Sequence, residues 1–174
     1  MNYGKRGMAL EEMLEWTNQA YKTMNLALVD KIPTPWRAYY NKRKGISSAT
    51  PMKKSSVDFG GTIKGGQAIY FEAKSTKNKT SFPLSNIEEH QIYYLLAVEK
   101  LGGIGFFIIE FSTLNERYLV PTGFILRHWE HQRLGGRKSI TINSIREGAW
   151  LIPTSNVPAD YLKIVNSHLL KKEA

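Results

Sequence analysis

There is no cysteine in the 174 residues, which excludes structural disulfides and thiolate metal sites and leaves oxygen or imidazole as the only side-chain ligands for a metal. Long apolar runs are also missing. No stretch approaches the roughly 20 residues needed to span a bilayer, and the N-terminus has no apolar signal core, so the sequence predicts a cytoplasmic protein without membrane insertion. There is no internal repeat and no low-complexity tract, and the length is that of one domain with a core of its own. The scarcest feature is negative charge in one segment. Between Lys31 and Val57 there is no acid at all.

The formal net charge is +9, and its distribution is uneven. Residues 1–30 hold three Lys/Arg against four Asp/Glu, residues 31–80 hold eleven against two, and residues 81–174 hold ten against nine. The middle segment therefore carries the whole excess. A polyanionic partner follows, because neutralising phosphates releases counterions and gives strong, salt-sensitive binding. The two acids of that segment are Asp58 and Glu72. Isolated carboxylates in a surface built for phosphate weaken binding unless a cation lies between them and the nucleic-acid backbone.

Those acids lie in VDFGGTIKGGQAIYFEAK, residues 57–74, where two glycine pairs are expected to form a turn and a strand then delivers Glu72 and Lys74. Period-two alternation puts Tyr70, Glu72 and Lys74 on one face and Ile69, Phe71 and Ala73 on the other, toward an apolar layer. Two carboxylates converging from adjacent strands form a hard oxygen site suited to magnesium, and the Lys adds a fixed positive charge that can stabilise charge building at phosphorus. An exposed hairpin with ordinary charges is the alternative, since such residues are common on solvent-facing strands.

Residues 8–25 have the apolar spacing of an amphipathic helix, with Glu11 beside its Leu10/Leu14 stripe, either on a solvated face or reaching a neighbouring site. A strand over 26–32 is followed by Pro33-Thr34-Pro35. The next stretch interleaves Trp36, Tyr39 and Tyr40 with Arg37, Lys42, Arg43 and Lys44, and ends on Lys53 and Lys54. Aromatics that stack on bases and cations that track phosphates suit open or distorted nucleic acid. This segment is expected as a protruding basic arm, partly disordered, or as a solvated loop. Lys77 and Lys79 continue the positive surface.

Ser85-Asn86-Ile87-Glu88 has the capping-box pattern and predicts a helix running to Lys100. Gln91 interrupts its apolar side and either hydrogen-bonds toward the site or is satisfied peripherally. Ile104–Phe111 is apolar nearly throughout, as expected of a strand covered on both faces. A strand over 117–120, a helix over 121–134, a strand over 139–142, a strand over 149–152 and a closing helix over 159–170 complete the prediction. Arg137 and Lys138 sit in a Gly-led turn that either offers amides and cations to a phosphate or is only a turn. His90, His128, His131 and His168 show no metal-ligand spacing.

The order helix, strands, D…ExK hairpin, helix, buried strand resembles the restriction-endonuclease-like PD-(D/E)xK nucleases. Within them the chain resembles the RecU-type Holliday-junction resolvases. The resemblance rests on Arg6-Gly7-Met8 with Leu10-Glu11, Pro33-Thr34-Pro35, Asp58 with Gly61 and Lys64, Phe71-Glu72-Ala73-Lys74, the run from Thr76 to Leu84, His90-Gln91, and Gly136 to Ile140.

It implies an α/β fold with a mixed central sheet flanked by helices, a single nuclease domain over 1–174, and a basic stalk at about residues 36–55 projecting from a homodimer. It also implies Glu11, Asp58, Glu72 and Lys74 as catalytic residues. Asp58, Glu72 and the Ala73 carbonyl would hold magnesium, with manganese as substitute, and Glu11 would support a second metal or its water shell. The activity implied is paired symmetric nicking of four-way DNA junctions in recombination and repair, and it raises recombinases and branch-migration proteins as partners that the sequence does not identify. Two departures are that Val57 stands where the family has Pro, and that the longer basic N-terminal arm of family members is nearly absent. Two other functions fit the residues: a non-catalytic DNA-binding accessory protein, and a nuclease without junction preference.

Overall fold

A computed structural model describes residues 4–34, 36–41, 45–51 and 56–170. The elements in chain order are α1 (Gly4–Thr23), β1 (Ala27–Lys31), β2 (Trp36–Asn41), β3 (Gly45–Pro51), β4 (Phe59–Ile63), β5 (Ala68–Thr76), β6 (Ser81–Pro83), α2 (Glu89–Lys100), β7 (Ile104–Phe111), β8 (Glu116–Pro121), α3 (Thr122–Arg133), β9 (Ser139–Thr141), α4 (Ile142–Gly148), β10 (Trp150–Leu151) and α5 (Tyr161–Ile164). A six-stranded sheet has the order β1-β4-β5-β7-β8-β10. β5 and β7 run parallel, joined through α2, and the other neighbours in this sheet are antiparallel. The sheet is mixed and flanked by helices, the layered arrangement that the family resemblance implies.

Each face of the sheet carries its own apolar layer. Leu10, Leu14 and Tyr21 of α1 and Tyr161 of α5 pack with Ile69, Phe71, Phe106 and Ile108 on one side. Phe59, Phe71 and Phe106 stack across three neighbouring strands, with centroid separations of 4.9 and 5.0 Å. On the other side Ile92 and Leu95 of α2, Phe124 and Ile125 of α3 and Ile145 of α4 cover Phe107, Ile109 and Val120. Covered by both layers, β7 is buried at every position, and this explains its near-continuous apolar sequence. Among the described residues no helix is long and apolar enough to cross a membrane.

The glycine pairs have separate uses. Gly65 and Gly66 make the turn between β4 and β5, with φ of +99° and +87°, a backbone region that costs other residues energy. Gly60 and Gly61 lie within β4 itself. A Cβ on Gly61 would overlap the Leu28 carbonyl of β1, and one on Gly60 would overlap the Tyr70 ring. The first pair therefore permits close approach between strands and does not form the turn that was expected of it.

Three further differences bear on the site. Ser85 does not cap the long helix, because residues 84–86 close into a 3-10 turn and α2 starts at Glu89. The capping box is Glu88 with Gln91. The expected strand over 139–142 stops at Thr141, whose hydroxyl caps α4 by accepting from Ser144 N. The closing helix is a single turn, Tyr161–Ile164, that widens into a π-type turn over 165–169. The basic segment forms an antiparallel ribbon, β2 with β3, in a two-stranded sheet separate from the main one. Lys42, Arg43, Lys44, Lys53 and Lys54 lie outside the described residues, as do the side chains of Trp36 and Tyr40.

Candidate active site

Asp58 sits on a bend immediately before β4. Val57 is buried in one apolar layer and Phe59 in the other, so the chain crosses the sheet plane between them and both neighbours anchor the position of Asp58. Its carboxylate Oδ2 accepts a hydrogen bond from Ala73 N at 2.9 Å, while its own backbone N donates to Glu72 Oε2 at 3.1 Å. The first acid is thus tied to β5 through two bonds before any ligand is considered.

Glu72 is completely buried. Its Oε1 receives Lys74 Nζ at 2.6 Å and Gln91 Nε2 at 2.5 Å. Burial pushes the Glu72 carboxyl up to about 8, the neighbouring Asp58 charge pushes in the same direction, and Lys74 opposes both. Desolvation is the largest cause, and the adjacent Asp58 charge adds to it against the single lysine paired with Glu72. Gln91 is also oriented from its other end, since its Oε1 accepts from Glu88 N at 2.9 Å as part of the α2 capping box. With the carbonyl oxygen so engaged, the amide NH2 is the end that faces Glu72.

The cleft above these groups is lined by Glu11, Asp58, Ala73, Lys74, Ser75, Lys77, Pro83, Ser85 and Asn86, among others. Glu11 reaches it from α1 and is paired with Lys31 Nζ at 2.5 Å. Among the described residues no group of three or more His, Asp or Glu is assembled for a metal, so Glu11 stands on the rim while Asp58 and Glu72 form the close pair. One wall comes from a pairing with no clear signal in the sequence, β6 with β9. That pairing, with Leu84 N donating to Lys138 O at 3.0 Å, brings the Arg137–Lys138 turn beside residues 83–86. Arg37, Lys79, Arg137 and Lys138 are exposed, and none of these four lines the cleft.

Several participants escaped the sequence reading. Lys31 gave no signal, being one more cation in a basic segment. Ser75 donates to Glu110 Oε2 at 2.7 Å, and Arg117 Nε donates to Glu110 Oε1 at 3.0 Å. A glutamate inside an otherwise apolar, doubly covered strand was the available clue to that network, because such a charge requires a partner.

The recombination protein U family profile matches residues 5–167. A Holliday junction resolvase RecU of Geobacillus sp. is 45% identical over 170 residues, covering 94% of this chain and 84% of the relative. The protein of the same name from Leuconostoc mesenteroides is 41% identical over 173 residues, covering 96% and 83%. A solved structure of Archaeoglobus fulgidus Hjc, a Holliday junction resolvase, matches with a TM-score of 0.49 at 10% identity, covering 82% of this chain and 93% of that one. The profile match over nearly the whole length, together with these identities, shows that the chain belongs to the recombination protein U family, RecU.

Proposed function

We infer that this protein is an endodeoxyribonuclease that resolves four-way DNA junctions, as its relatives' name describes, and that Asp58, Glu72 and Lys74 form its catalytic centre. The observation that carries the site assignment is the buried Glu72 carboxylate, paired with Lys74 and bonded to Asp58 N, beside an open cleft that Asp58 and Lys74 line. A divalent cation fits these residues. The donors are hard oxygens, the chemistry magnesium prefers, and a cation relieves the carboxylate repulsion that raises the Glu72 pKa. Asp58, Glu72 and the Ala73 carbonyl would hold magnesium, or manganese in its place, with Glu11 contributing from the rim. When bound, the metal supplies Lewis-acid stabilisation of phosphoryl oxygens and a lower pKa for a coordinated water.

The chain's own groups do the rest. Gln91 fixes the Glu72 carboxylate, so little reorganisation is needed as the reaction proceeds. Lys74 stands beside the centre, where it orients the attacking water and stabilises the extra negative charge at phosphorus. Attack by water oxygen breaks the bond from phosphorus to the three-prime oxygen, which leaves with a proton as a ligatable hydroxyl, while the phosphate stays on the five-prime end. We assign Lys77, Arg137 and Lys138, all exposed, to the DNA backbone, and the basic ribbon, with Arg37 and Tyr39 exposed on β2, to the branch point. A homodimer would present two such centres to symmetric strands of one junction.

The test compares cleavage of a four-way junction with that of a matched linear duplex, at one salt and magnesium concentration. A junction resolvase cuts the junction preferentially at paired symmetric positions. Equal cutting of both would reduce the protein to a nuclease without junction preference, and binding without cutting would make it a DNA-binding accessory protein.

A further inference from the structure

Lys31 ends β1, a few residues before the ribbon begins, and the β1–β4 register places it opposite Phe59, the residue after Asp58. Beyond it, Ile32 N donates to Asp58 O at 2.8 Å, so the two roots of the ribbon are hydrogen-bonded to each other at the position of the first catalytic acid. The Lys31 ammonium meanwhile reaches back to α1, 2.5 Å from Glu11 Oε2 and 3.4 Å from Glu15 Oε1. Glu11 and Glu15 are one helical turn apart and would repel without it. Glu11 also lines the cleft that contains Asp58 and Lys74. Both acids that approach the cleft from outside β5 are thus fixed at the ribbon's roots, Asp58 by its backbone and Glu11 by Lys31.

Folding stability does not account for this arrangement. The Lys31 side chain is 45% exposed and that of Glu11 24%, and pairs of this kind contribute little to stability. We propose that Lys31 is a positioning residue of the cleavage reaction: it holds the Glu11 carboxylate at the cleft rim, in register with Asp58, and so joins the root of the DNA-engaging ribbon to the metal-binding side of the site. The proposal rests on the nuclease reading above.

The experiment measures single-turnover cleavage of a four-way junction across magnesium concentrations for the full chain and its Lys31→Ala, Lys31→Arg, Glu11→Gln and Lys31→Ala/Glu11→Gln variants, with metal-free junction binding measured alongside. Lys31→Ala is expected to lower the saturating rate by about tenfold, the scale for loss of a group that orients a ligand, and to raise the magnesium concentration at half-maximal rate. Junction binding stays near wild type, Lys31→Arg recovers most of the rate, and Lys31→Ala adds little once Glu11 is Gln. An unchanged rate, a lower magnesium requirement, or a loss confined to junction affinity and persisting in the Glu11→Gln background would each overturn the proposal. If Glu11→Gln leaves no measurable rate, the magnesium dependence of Lys31→Ala decides. A wild type that cuts while Lys31→Ala is unchanged defeats this proposal alone, whereas a wild type that cuts nothing defeats the nuclease reading and this proposal together.

Discussion

β5 and the β2–β3 ribbon are both extended segments from the same basic stretch of chain, and they are built on opposite terms. β5 has strand partners on both edges and an apolar layer on each face, and it carries a fully buried Glu72. The ribbon's strands pair with each other in a sheet of their own, and its described side chains Arg37 and Tyr39 are exposed. A buried carboxylate needs a rigid, desolvated frame, because small displacements would let water relax its charge. A segment that meets a branched polyanion needs exposed cations and aromatics. The proposed function puts chemistry in the first and substrate choice in the second, and the two are joined where Ile32 N donates to Asp58 O.

The largest test of that division is Asp58→Asn. It should reduce junction cleavage by about a thousandfold, comparable to losing a principal electrostatic group, while junction binding in a gel-shift assay is preserved or slightly improved. Parallel loss of binding and cleavage would mean that the two regions are not separable.

Next is the pH dependence of the metal-free protein. Glu72 has a folded pKa of about 8 against an ordinary 4.5, so the folded state binds its proton more tightly than the unfolded state. The associated stability is present below pH 4.5 and is lost as pH rises through about 8. Thermal unfolding without metal should show a decline over that window, of the order of a few kcal/mol. Magnesium should reverse it, and Glu72→Gln should flatten it. A flat wild-type profile would place Glu72 in a better-solvated setting than its burial implies.

Gly61→Ala tests the frame. Its Cβ would overlap the Leu28 carbonyl, and the destabilisation expected from such overpacking is about 1–3 kcal/mol, read as a lower midpoint in urea. Gln91→Ala should cost about tenfold in cleavage rate, at the lower end for a residue that orients a ligand, with a smaller effect on junction affinity. An equal fall in affinity would make Gln91 a DNA contact.

The sequence discloses some of this design more readily than the rest. Alternation along β5 placed Ile69, Phe71 and Ala73 in one apolar layer and set Glu72 beside Lys74, because a strand's period is independent of tertiary context. The unbroken apolar run of β7 announced a doubly covered strand. Gln91 in an otherwise apolar helix face marked a polar position, although only the fold shows that it serves the α2 cap and Glu72 together. The pairing of β6 with β9 was not legible, since three-residue strands have too little pattern and their register is imposed by the layers around them. The Lys31–Glu11 contact was hidden for a related reason: one lysine among eleven basic residues acquires meaning only when α1 is laid across the root of the ribbon.

The most direct measurement of the division between site and ribbon is the junction-to-duplex ratio of cleavage rates for the Lys42→Ala/Arg43→Ala/Lys44→Ala variant. The ratio is predicted to fall by about tenfold, with the salt dependence of junction binding weakened by up to about three charges, while residual cleavage of linear duplex is unchanged. A ratio equal to that of wild type, or junction and duplex rates falling together, would contradict the assignment of substrate choice to the ribbon.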